Sequence, residues 1–280
     1  MFEIVKKEVL CQSIVRLVVS APMVAAKAQP GQFVILRVSA DGERIPLTIA
    51  DYNRVAGTVT IIFQTVGATT LALSHKAVGE SLQDFVGPLG RATETEGLKK
   101  VAVVGGGVGT AIALPVAKKL YEQGVEVHCI NGFRNKDFVI LQDEFAANSH
   151  KFITLTDDGS FGEKGLVTDA LRQLIDAGEE YDEVIAIGPI PMMKFVSKLT
   201  ANYGIKTVVS MNPIMIDGTG MCGGCRLTVD GEMKFACVDG PEFDGHLVDF
   251  DEIMQRSRLY HEQERHAYEE ACNLFQKEVR

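Results

Sequence analysis

The chain has 280 residues, of which 46% are hydrophobic and 23% are charged, and its formal net charge at pH 7 is −9. These values are typical of a globular protein, and the length predicts two domains. The acidic balance argues against binding to nucleic acid or to an anionic membrane surface, because both require a basic face. Since no segment resembles a signal peptide or a membrane span, we expect a cytoplasmic protein.

Residues 1–98 contain short segments rich in Val, Ile and Phe, separated by Pro-Gly and Asp-Gly turn signals. Strands of this length with regular turns predict a small antiparallel β-barrel. One helix is predicted between these strands, with Gly67, Thr69 and Thr70 at its start. A helix N-terminus of this kind can hold phosphate. The turn at residues 87–90 ends the predicted barrel.

Residues 99–212 alternate between apolar strands and helices, which predicts a doubly wound parallel sheet. The clearest signal is the string VAVVGGGVGTAIALP, in which a buried strand leads through Gly105–Gly109 into a helix that starts near Thr110. Small residues let a pyrophosphate approach the backbone amides, and the helix N-terminus favours its charge. The string departs from G-x-G-x-x-G at Thr110, so a tight turn without a ligand is the alternative.

Gly188 and Pro189 follow another buried strand and precede a helix, which places them at the carboxyl edge of the sheet, where nucleotides bind. Arg134 follows the second strand of the sheet. It fits either a 2′-phosphate ligand or an ordinary surface position. The sequence therefore leaves NAD(H) and NADP(H) both open.

Three of the six cysteines form a C-x2-C-x11-C pattern, made by Cys222, Cys225 and Cys237. Asp217 stands where the first cysteine of a C-x4-C-x2-C plant-type 2Fe–2S site would stand. A carboxylate can bind ferric iron, and the surrounding glycines let the backbone wrap closely around a cluster. The alternative is a structural zinc site with a fourth ligand such as His246.

Residues 213–250, which contain these cysteines, have too few apolar side chains for a core of their own. We therefore expect a bound metal to hold this segment together. The last stretch, residues 251–280, is predicted as a charged amphipathic helix. No nucleophile with a neighbouring base stands out along the chain, so no catalytic side chain is predicted.

The strings ERIPLTIAD, DDGSFGEKGLVTDAL and DGTGMCGGCR, in this order, resemble the ferredoxin–NADP reductase superfamily over nearly the whole chain. More closely, the chain is similar to the electron-transfer subunits of bacterial dihydroorotate dehydrogenase. Above all it is similar to the small (alpha) subunits of NADH-dependent reduced ferredoxin:NADP oxidoreductase, an electron-bifurcating transhydrogenase also known as sulfide dehydrogenase. Asp217 separates the two groups, since the dihydroorotate subunit has four cysteines.

This resemblance implies a β-barrel FAD domain, an α/β doubly wound nucleotide domain and a small C-terminal iron–sulfur domain. The implied cofactors are FAD, a 2Fe–2S cluster and NAD(H) or NADP(H). The implied partner is a larger flavin and iron–sulfur subunit, similar to the glutamate synthase small subunit, which connects the chain to ferredoxin. The implied cluster ligands are Asp217, Cys222, Cys225 and Cys237. The implied cofactor-binding residues are Pro46, Leu47, Thr48, Ile49, Val66, Gly67, Thr69, Thr70, Gly87, Pro88, Gly105, Gly106, Gly107, Val108, Gly109, Thr110, Gly188, Pro189 and Met192.

Two features depart from the superfamily pattern. The arginine of its flavin motif is replaced by Ile45, and Arg44 is displaced by one position. The cysteine of its Cys-Gly-Pro motif is Ile187, so no thiol stands beside the nicotinamide and hydride transfer depends on positioning. A nucleotide-binding regulatory module with a structural zinc is the alternative from a different class of protein.

Overall fold

The computed structural model describes residues 2–278, and its first part is an antiparallel barrel. The strands pair in the order β6-β1-β2-β5-β4-β3-β7. Because β6 and β7 lie at opposite ends of this order and only Gln83 separates them in the chain, the sheet nearly closes on itself. The predicted barrel and its inserted helix, α2, are confirmed. The bounds are β1 (Phe2–Cys11), β2 (Ile14–Ser20), α1 (Pro22–Ala25), β3 (Phe33–Arg37), β4 (Arg44–Asn53), β5 (Thr58–Gln64), α2 (Ala68–His75), β6 (Ser81–Leu82) and β7 (Asp84–Leu89).

The second part is a sheet in the order β11-β10-β9-β8-β12-β13, with all of these strands parallel. The chain moves outward from β8 to β11 and then returns to β12 on the other side of β8. Ligands of doubly wound sheets bind outside such a switch point, so this confirmed fold places a site at β8 and β12. The bounds are β8 (Lys100–Gly106), α3 (Gly109–Glu122), β9 (Glu126–Phe133), α4 (Gln142–Ala147), β10 (Lys151–Thr156), β11 (Glu163–Lys164), α5 (Val167–Asp176), β12 (Glu183–Ile187), α6 (Ile190–Ala201) and β13 (Lys206–Ser210).

The cysteine-bearing part adds a hairpin, one more strand of the sheet and two helices. These elements are β14 (Arg226–Val229), β15 (Glu232–Phe235), β16 (Glu242–Asp244), α7 (Phe250–Arg256) and α8 (His261–Glu278). β16 pairs with β13 in the antiparallel direction. One helix was expected over residues 251–280, but a turn at residues 257–260 divides it, and α8 packs against α2. Val279 and Arg280 lie outside the described residues.

The cysteine-bearing part shares its core with the parallel sheet. Met215, Leu227, Val229 and Val248 are buried in the same apolar cluster as the sheet face covered by α5 and α6. This corrects the expectation that a metal alone would hold the segment together. The expectation was wrong because it counted the apolar side chains of the segment and not those that the sheet supplies to it.

The barrel and the sheet also share apolar packing. Ile14, Ala50 and Ile62 of the barrel are buried in one cluster with the α3 face of the sheet. An ion pair crosses the same boundary, since Arg16 Nη2 lies 2.9 Å from Glu144 Oε1. The space between the two parts is therefore walled by packed elements. Within residues 2–278, we find no helix that combines the length and the apolar character needed to span a membrane.

Glu242 lies where the barrel, the linker to the sheet and the cysteine-bearing part meet. Its Oε1 accepts a hydrogen bond of 2.7 Å from the Thr93 hydroxyl. Gly31 of the barrel lies against the same pair, because a Cβ there would be 2.4 Å from Thr93 Oγ1. The pKa of the Glu242 carboxyl is raised from 4.5 to about 7, chiefly by burial and to a lesser degree by the nearby acids Glu183 and Glu94, against the opposing effect of the Thr93 hydrogen bond.

We expect Glu242→Gln to stabilise the protein at alkaline pH and to leave its stability unchanged at acid pH. A carboxyl whose pKa is higher in the folded state than in the unfolded state stabilises the fold below the unfolded pKa, here 4.5. That contribution is lost as the pH rises through about 7, and glutamine does not lose it. Thermal unfolding of both proteins between pH 4.5 and 8.5 measures the difference. Parallel curves would show that Glu242 does not titrate in this range.

Candidate functional site

A cavity of about 570 Å³, named here the barrel cavity, lies between the barrel and the carboxyl edge of the sheet. One wall is Ile45–Thr48 on β4, and another is the glycine loop between β8 and α3. A third wall comes from residues 210–213 and Met215, which lead into the cysteine-bearing part. An apolar lining with backbone amides at a helix start suits a flat ring system that has a few polar edges.

Most of the predicted cofactor-binding residues line the barrel cavity. They are Pro46, Leu47, Thr48, Val66, Thr70, Gly106, Gly107, Val108, Gly109, Gly188 and Pro189. They come from four separate stretches of the chain that the fold brings to one space. Their roles toward a cofactor stay predictions.

Other predicted residues lie behind the cavity wall. Ile49 is 1% exposed in the barrel interior. Gly105 and Thr110 are buried beneath the glycine loop. Gly87 packs against β3, and neither it nor Pro88 lines the cavity. Gly105 and Thr110 adjoin the residues of the glycine loop that line the cavity, and they support this wall from behind.

The start of α2 uses its hydroxyl groups within the protein. Thr70 Oγ1 accepts hydrogen bonds from the N–H groups of Val66 at 3.1 Å and Gly67 at 3.0 Å. Thr69 Oγ1 donates to Glu43 Oε2 at 3.1 Å. Neither Gly67 nor Thr69 lines the barrel cavity. A phosphate at this helix start would therefore have to replace Glu43 as the partner of Thr69.

A second space of about 640 Å³, named here the sheet groove, follows the carboxyl edge of the sheet beside α5 and α6. The exposed ring of Phe195 stands at this groove, and Met192 lines it as well. Its charged lining consists of three cations and one carboxylate, namely Arg134, Arg172, Lys198 and Asp157. Such a lining suits an anionic ligand with flat rings, and a dinucleotide has this chemistry.

The glycine loop is tight because two strand ends approach the start of α3. A Cβ on Gly109 would lie 2.5 Å from the Ile187 carbonyl oxygen and 2.6 Å from Gly188 Cα. Gly107 has a φ of +54°, which favours glycine, and its N–H donates to the Gly132 carbonyl at 2.9 Å. The positive end of the α3 dipole therefore meets the switch point of the sheet.

The barrel cavity and the sheet groove meet at Gly106, Gly107, Arg134 and Pro189, which line both spaces. The thioether of Met192 packs over Gly106, since its Sδ is 2.4 Å from where a Cβ would stand. One end of a ligand in the groove can therefore meet a ligand in the cavity. Such a meeting of donor and acceptor is what hydride transfer requires.

Asp217 lies in an exposed loop and accepts hydrogen bonds from that loop. Its Oδ2 accepts the N–H of Thr219 at 3.1 Å, the hydroxyl of Thr219, and the N–H of Met221 at 3.4 Å. The Thr219 hydroxyl is the main cause that lowers the pKa of Asp217. The side chain is therefore an anion near neutral pH, as a metal ligand must be.

Two glycines shape the loop around Asp217. Gly218 and Gly220 have φ values of +81° and +86°, which other residues rarely adopt. A Cβ on Gly218 would lie 2.7 Å from Ile35 Cγ1, and one on Gly220 would lie 2.7 Å from Val238 Cγ2. The backbone here packs directly on the barrel and on the segment that follows Cys237, as expected for a loop that encloses a small cluster.

The three cysteines differ in exposure. Cys225 and Cys237 are 1% and 4% exposed, whereas Cys222 is exposed and receives the Gly224 N–H at 3.5 Å from its Sγ. Burial, and a hydrogen bond with Cys225, raise the pKa of Cys237 to about 12. Its thiol is therefore neutral until a metal cation displaces the proton. This donor set fits iron, which prefers thiolate with occasional oxygen ligands.

The structure does not support the zinc alternative with His246. His246 Nε2 lies 3.1 Å from Thr200 Oγ1 on α6, so this ring belongs to a different contact.

One other group of possible metal ligands lies at the amino edge of the sheet, formed by Glu126, His128 and Glu179. Lys100 Nζ lies 3.0 Å from Glu126 Oε1 and forms an ion pair with Glu179 as well. The ion pairs of Glu179 with Lys100 and Lys151 lower its pKa to about 2. The group is therefore an ion-pair network in which the Lys100 ammonium takes the place that a metal cation would have.

Some residues that line the barrel cavity and the sheet groove were not predicted from the sequence. Residues 210–213, Met215 and Pro241 line the barrel cavity, and Arg172, Phe195 and Lys198 line the sheet groove. A usable signal was present for the first set, because residue 210 ends β13 at the carboxyl edge of the sheet. Arg172, Phe195 and Lys198 lie on α5 and α6 and carry no such signal, since the solvent-exposed face of any helix contains residues of these types.

The barrel, the switch-point sheet and the cysteine loop together define an oxidoreductase of the ferredoxin–NADP reductase fold with an iron–sulfur site. Residues 103–198 match the family model "oxidoreductase NAD-binding domain". Residues 212–249 match the family model "iron–sulfur cluster binding domain of dihydroorotate dehydrogenase B".

Whole-chain relatives identify the family. A Thermotoga maritima protein, described as a homolog of the dihydroorotate dehydrogenase B (NAD(+)) electron transfer subunit, is 47% identical over 267 residues, covering 95% of this chain and 94% of that protein. The electron transfer subunit of this enzyme from Streptococcus pneumoniae is 34% identical over 249 residues, covering 86% and 94%. The chain belongs to the family of these electron-transfer subunits and their homologues.

Solved structures agree with this assignment. A chain from the structure of an NADH-dependent reduced ferredoxin–NADP oxidoreductase, studied for flavin-based electron bifurcation, has a TM-score of 0.91 and 46% identity and covers 96% of this chain and 97% of its own length. A cytochrome P450 reductase from Amycolatopsis has a TM-score of 0.61 at 21% identity, covering 72% of this chain and 65% of its own, and shows the fold alone.

Proposed function

We propose that this chain is the small subunit of an electron-bifurcating NADH-dependent ferredoxin:NADP oxidoreductase. In this proposal, residues 1–98 bind FAD, residues 99–212 bind NAD(H) or NADP(H), residues 213–250 bind a 2Fe–2S cluster, and residues 251–280 form the C-terminal helical part. Electrons pass between these groups and a larger flavin and iron–sulfur subunit. The 46% identity to the bifurcating reductase chain, over 96% of this chain, supports the proposal.

The observation that carries the proposal is that one short segment serves both the barrel cavity and the cysteine loop. Residues 210–213 and Met215 line the cavity, and Asp217 follows two positions later. The loop touches the barrel itself, because a Cβ on Gly218 would be 2.7 Å from Ile35 Cγ1 on β3. A redox group in the cavity and a cluster in the loop would thus be held by neighbouring residues, as an electron relay requires.

The residues of the chain suit binding and orientation rather than acid–base catalysis. When bound, FAD accepts electrons in pairs as hydride and releases them singly, which connects a nicotinamide with a one-electron cluster. Pro46, Leu47 and Thr48 on β4 form the barrel wall, while the glycine loop offers amides from the opposite side. Ile187 at the end of β12 supplies no reactive group, so the rate depends on alignment and on the exclusion of water.

Three apolar side chains are exposed around the cysteine loop. Ile216, Met221 and Val238 are 54%, 88% and 44% exposed. Exposed apolar side chains beside a redox site mark a surface for a protein partner, and we propose that the larger subunit docks here. None of the six cysteines, which all lie within residues 2–278, forms a disulfide, in keeping with a place in the reducing cytoplasm.

Anaerobic purification, with the larger subunit co-expressed, tests the proposal. We expect flavin absorption, about two irons per chain, and co-elution with that subunit. A colourless protein that contains zinc would overturn the proposal in favour of a regulatory module. A complex that reduces NAD⁺ with dihydroorotate as donor would favour the dihydroorotate-type subunit, which remains the second candidate because of its 34% identity.

Asp217 provides a sharper test of the cluster ligands. We expect Asp217→Cys to keep its iron but to change the visible and electron paramagnetic resonance spectra, because a thiolate replaces a carboxylate. We expect Asp217→Ala to lose most of its iron. Asp230→Cys, on the turn between β14 and β15, adds the same thiol away from the loop and serves as control. Unchanged spectra and iron content in both Asp217 variants would exclude Asp217 as a ligand.

A further inference from the structure

Arg134 stands where the barrel cavity meets the sheet groove. It follows β9 at the carboxyl edge of the sheet, and it lines both spaces. The other residues with this property, Gly106, Gly107 and Pro189, have no charge. Among the described residues that line the barrel cavity, Arg134 is the only charged one. Arg134 is therefore the residue that gives the junction between the two spaces its positive charge.

The charge of Arg134 is not neutralised within the described chain. Its Cζ lies 5.8 Å from the centre of the Phe138 ring, a cation–π distance that steadies the side chain. No carboxylate of residues 2–278 forms an ion pair with it, and the side chain is exposed. A guanidinium with these surroundings is free to bind an anionic ligand in the groove.

The other cations of the groove lie farther along it. Arg172 and Lys198 are more than one helical turn beyond the starts of α5 and α6, whereas Arg134 adjoins the glycine loop. A nicotinamide placed at the barrel cavity puts the pyrophosphate of its dinucleotide beside that loop. The adenosine ribose, with any 2′-phosphate, then extends toward the helices. Arg134 is therefore placed for the pyrophosphate and not for the 2′-phosphate.

We propose that the Arg134 guanidinium binds the pyrophosphate of the nicotinamide dinucleotide and thereby holds the nicotinamide at the barrel cavity. The inference rests on the proposed function. A guanidinium fork matches two phosphate oxygens, which an ammonium does not. The amides of the glycine loop and the α3 N-terminus bind the same group from the opposite side.

Equilibrium binding to the FAD-loaded complex tests the role of Arg134. Isothermal titration measures the affinities for NAD⁺, NADP⁺ and ADP-ribose, which contains the pyrophosphate but lacks nicotinamide. For each of these ligands that the unmodified complex binds, we expect Arg134→Ala to lower the affinity about tenfold, equivalent to 1.4 kcal/mol. Arg134→Lys should recover only part of the loss, because it cannot form the two-pronged contact.

Lys136→Ala is the matched control, because Lys136 has the same charge two positions away and lines neither space. We expect its affinities to stay within about twofold, since exposed charges off the site contribute little. A loss confined to NADP⁺ in Arg134→Ala would assign Arg134 to the 2′-phosphate and overturn the inference. Unchanged nucleotide affinities would overturn it too, whether or not FAD content falls. If the unmodified complex binds neither FAD nor nucleotide, the proposed function itself fails as well.

Discussion

Cys225→Ala will remove the iron and leave the fold in place. Cys225 is 1% exposed and contacts Cys237, so alanine at this position removes a thiol from the interior of the proposed cluster site. We expect the iron content to fall from about two per chain to nearly none. Electron flow to the larger subunit should fall at least a hundredfold. Reduction of a dye that accepts electrons from the flavin should persist, because the barrel cavity and the sheet groove do not include Cys225.

Cys129→Ala is the matched control for this variant. Cys129 is also 1% exposed, but it packs on the α3 side of the sheet, away from the loop. Each variant loses one buried sulfur, which costs on the order of 1 kcal/mol of stability, and Cys225→Ala also loses the stability that the bound cluster contributes. Only Cys225→Ala should lose iron. Global unfolding of Cys225→Ala, seen by circular dichroism, would show that the cluster and not the shared core holds the C-terminal part.

Alanine at Gly109 will destabilise the protein far more than alanine at Gly106, although both belong to one loop. The new methyl group at Gly109 meets the Ile187 carbonyl oxygen at 2.5 Å, and the backbone there must shift. At Gly106 it meets Met192 Sδ at 2.4 Å, but a flexible thioether can move aside. We expect Gly109→Ala to cost about 2 kcal/mol and to weaken nucleotide binding at least tenfold.

Gly107→Ala separates backbone strain from steric contact in the same loop. No atom lies within 4 Å of a Cβ at this position, but the φ is +54°. We expect a cost of about 1 kcal/mol from the left-handed conformation alone. Thermal unfolding and nucleotide titration of the three variants measure these effects. Equal losses at Gly109 and Gly106 would show that close packing of the strand ends does not shape the site.

Much of the fold could be predicted because its patterns are local. β8 and β12 are continuous apolar strands that are wholly or almost wholly buried, and each ends in a glycine turn before a helix. The barrel strands likewise stand between clear turn signals. The cysteine spacing is short in sequence, so the iron–sulfur motif was visible without knowledge of the fold.

The remainder depends on contacts that are distant in sequence. β16 has only three residues, too few to show a period, and its pairing of Phe243 with Val209 joins parts of the chain more than thirty residues apart. The barrel cavity acquires its third wall in the same way. Thr69 shows the same dependence, because its motif predicts a phosphate contact, whereas its hydrogen bond to Glu43, which lies 26 residues earlier, could not be read from the motif. Local sequence patterns do not show which contacts are formed between residues that are distant in the chain.

Both edges of the parallel sheet end in very short strands that carry charge. β11 consists of the exposed pair Glu163 and Lys164, and β16 runs only from Glu242 to Asp244. Such edges offer few free backbone groups, so neither a second copy nor a foreign strand can readily extend the sheet. These two edges are therefore protected against edge-to-edge aggregation. A partner subunit would then meet the chain through side-chain contacts rather than through a strand added at either of these edges.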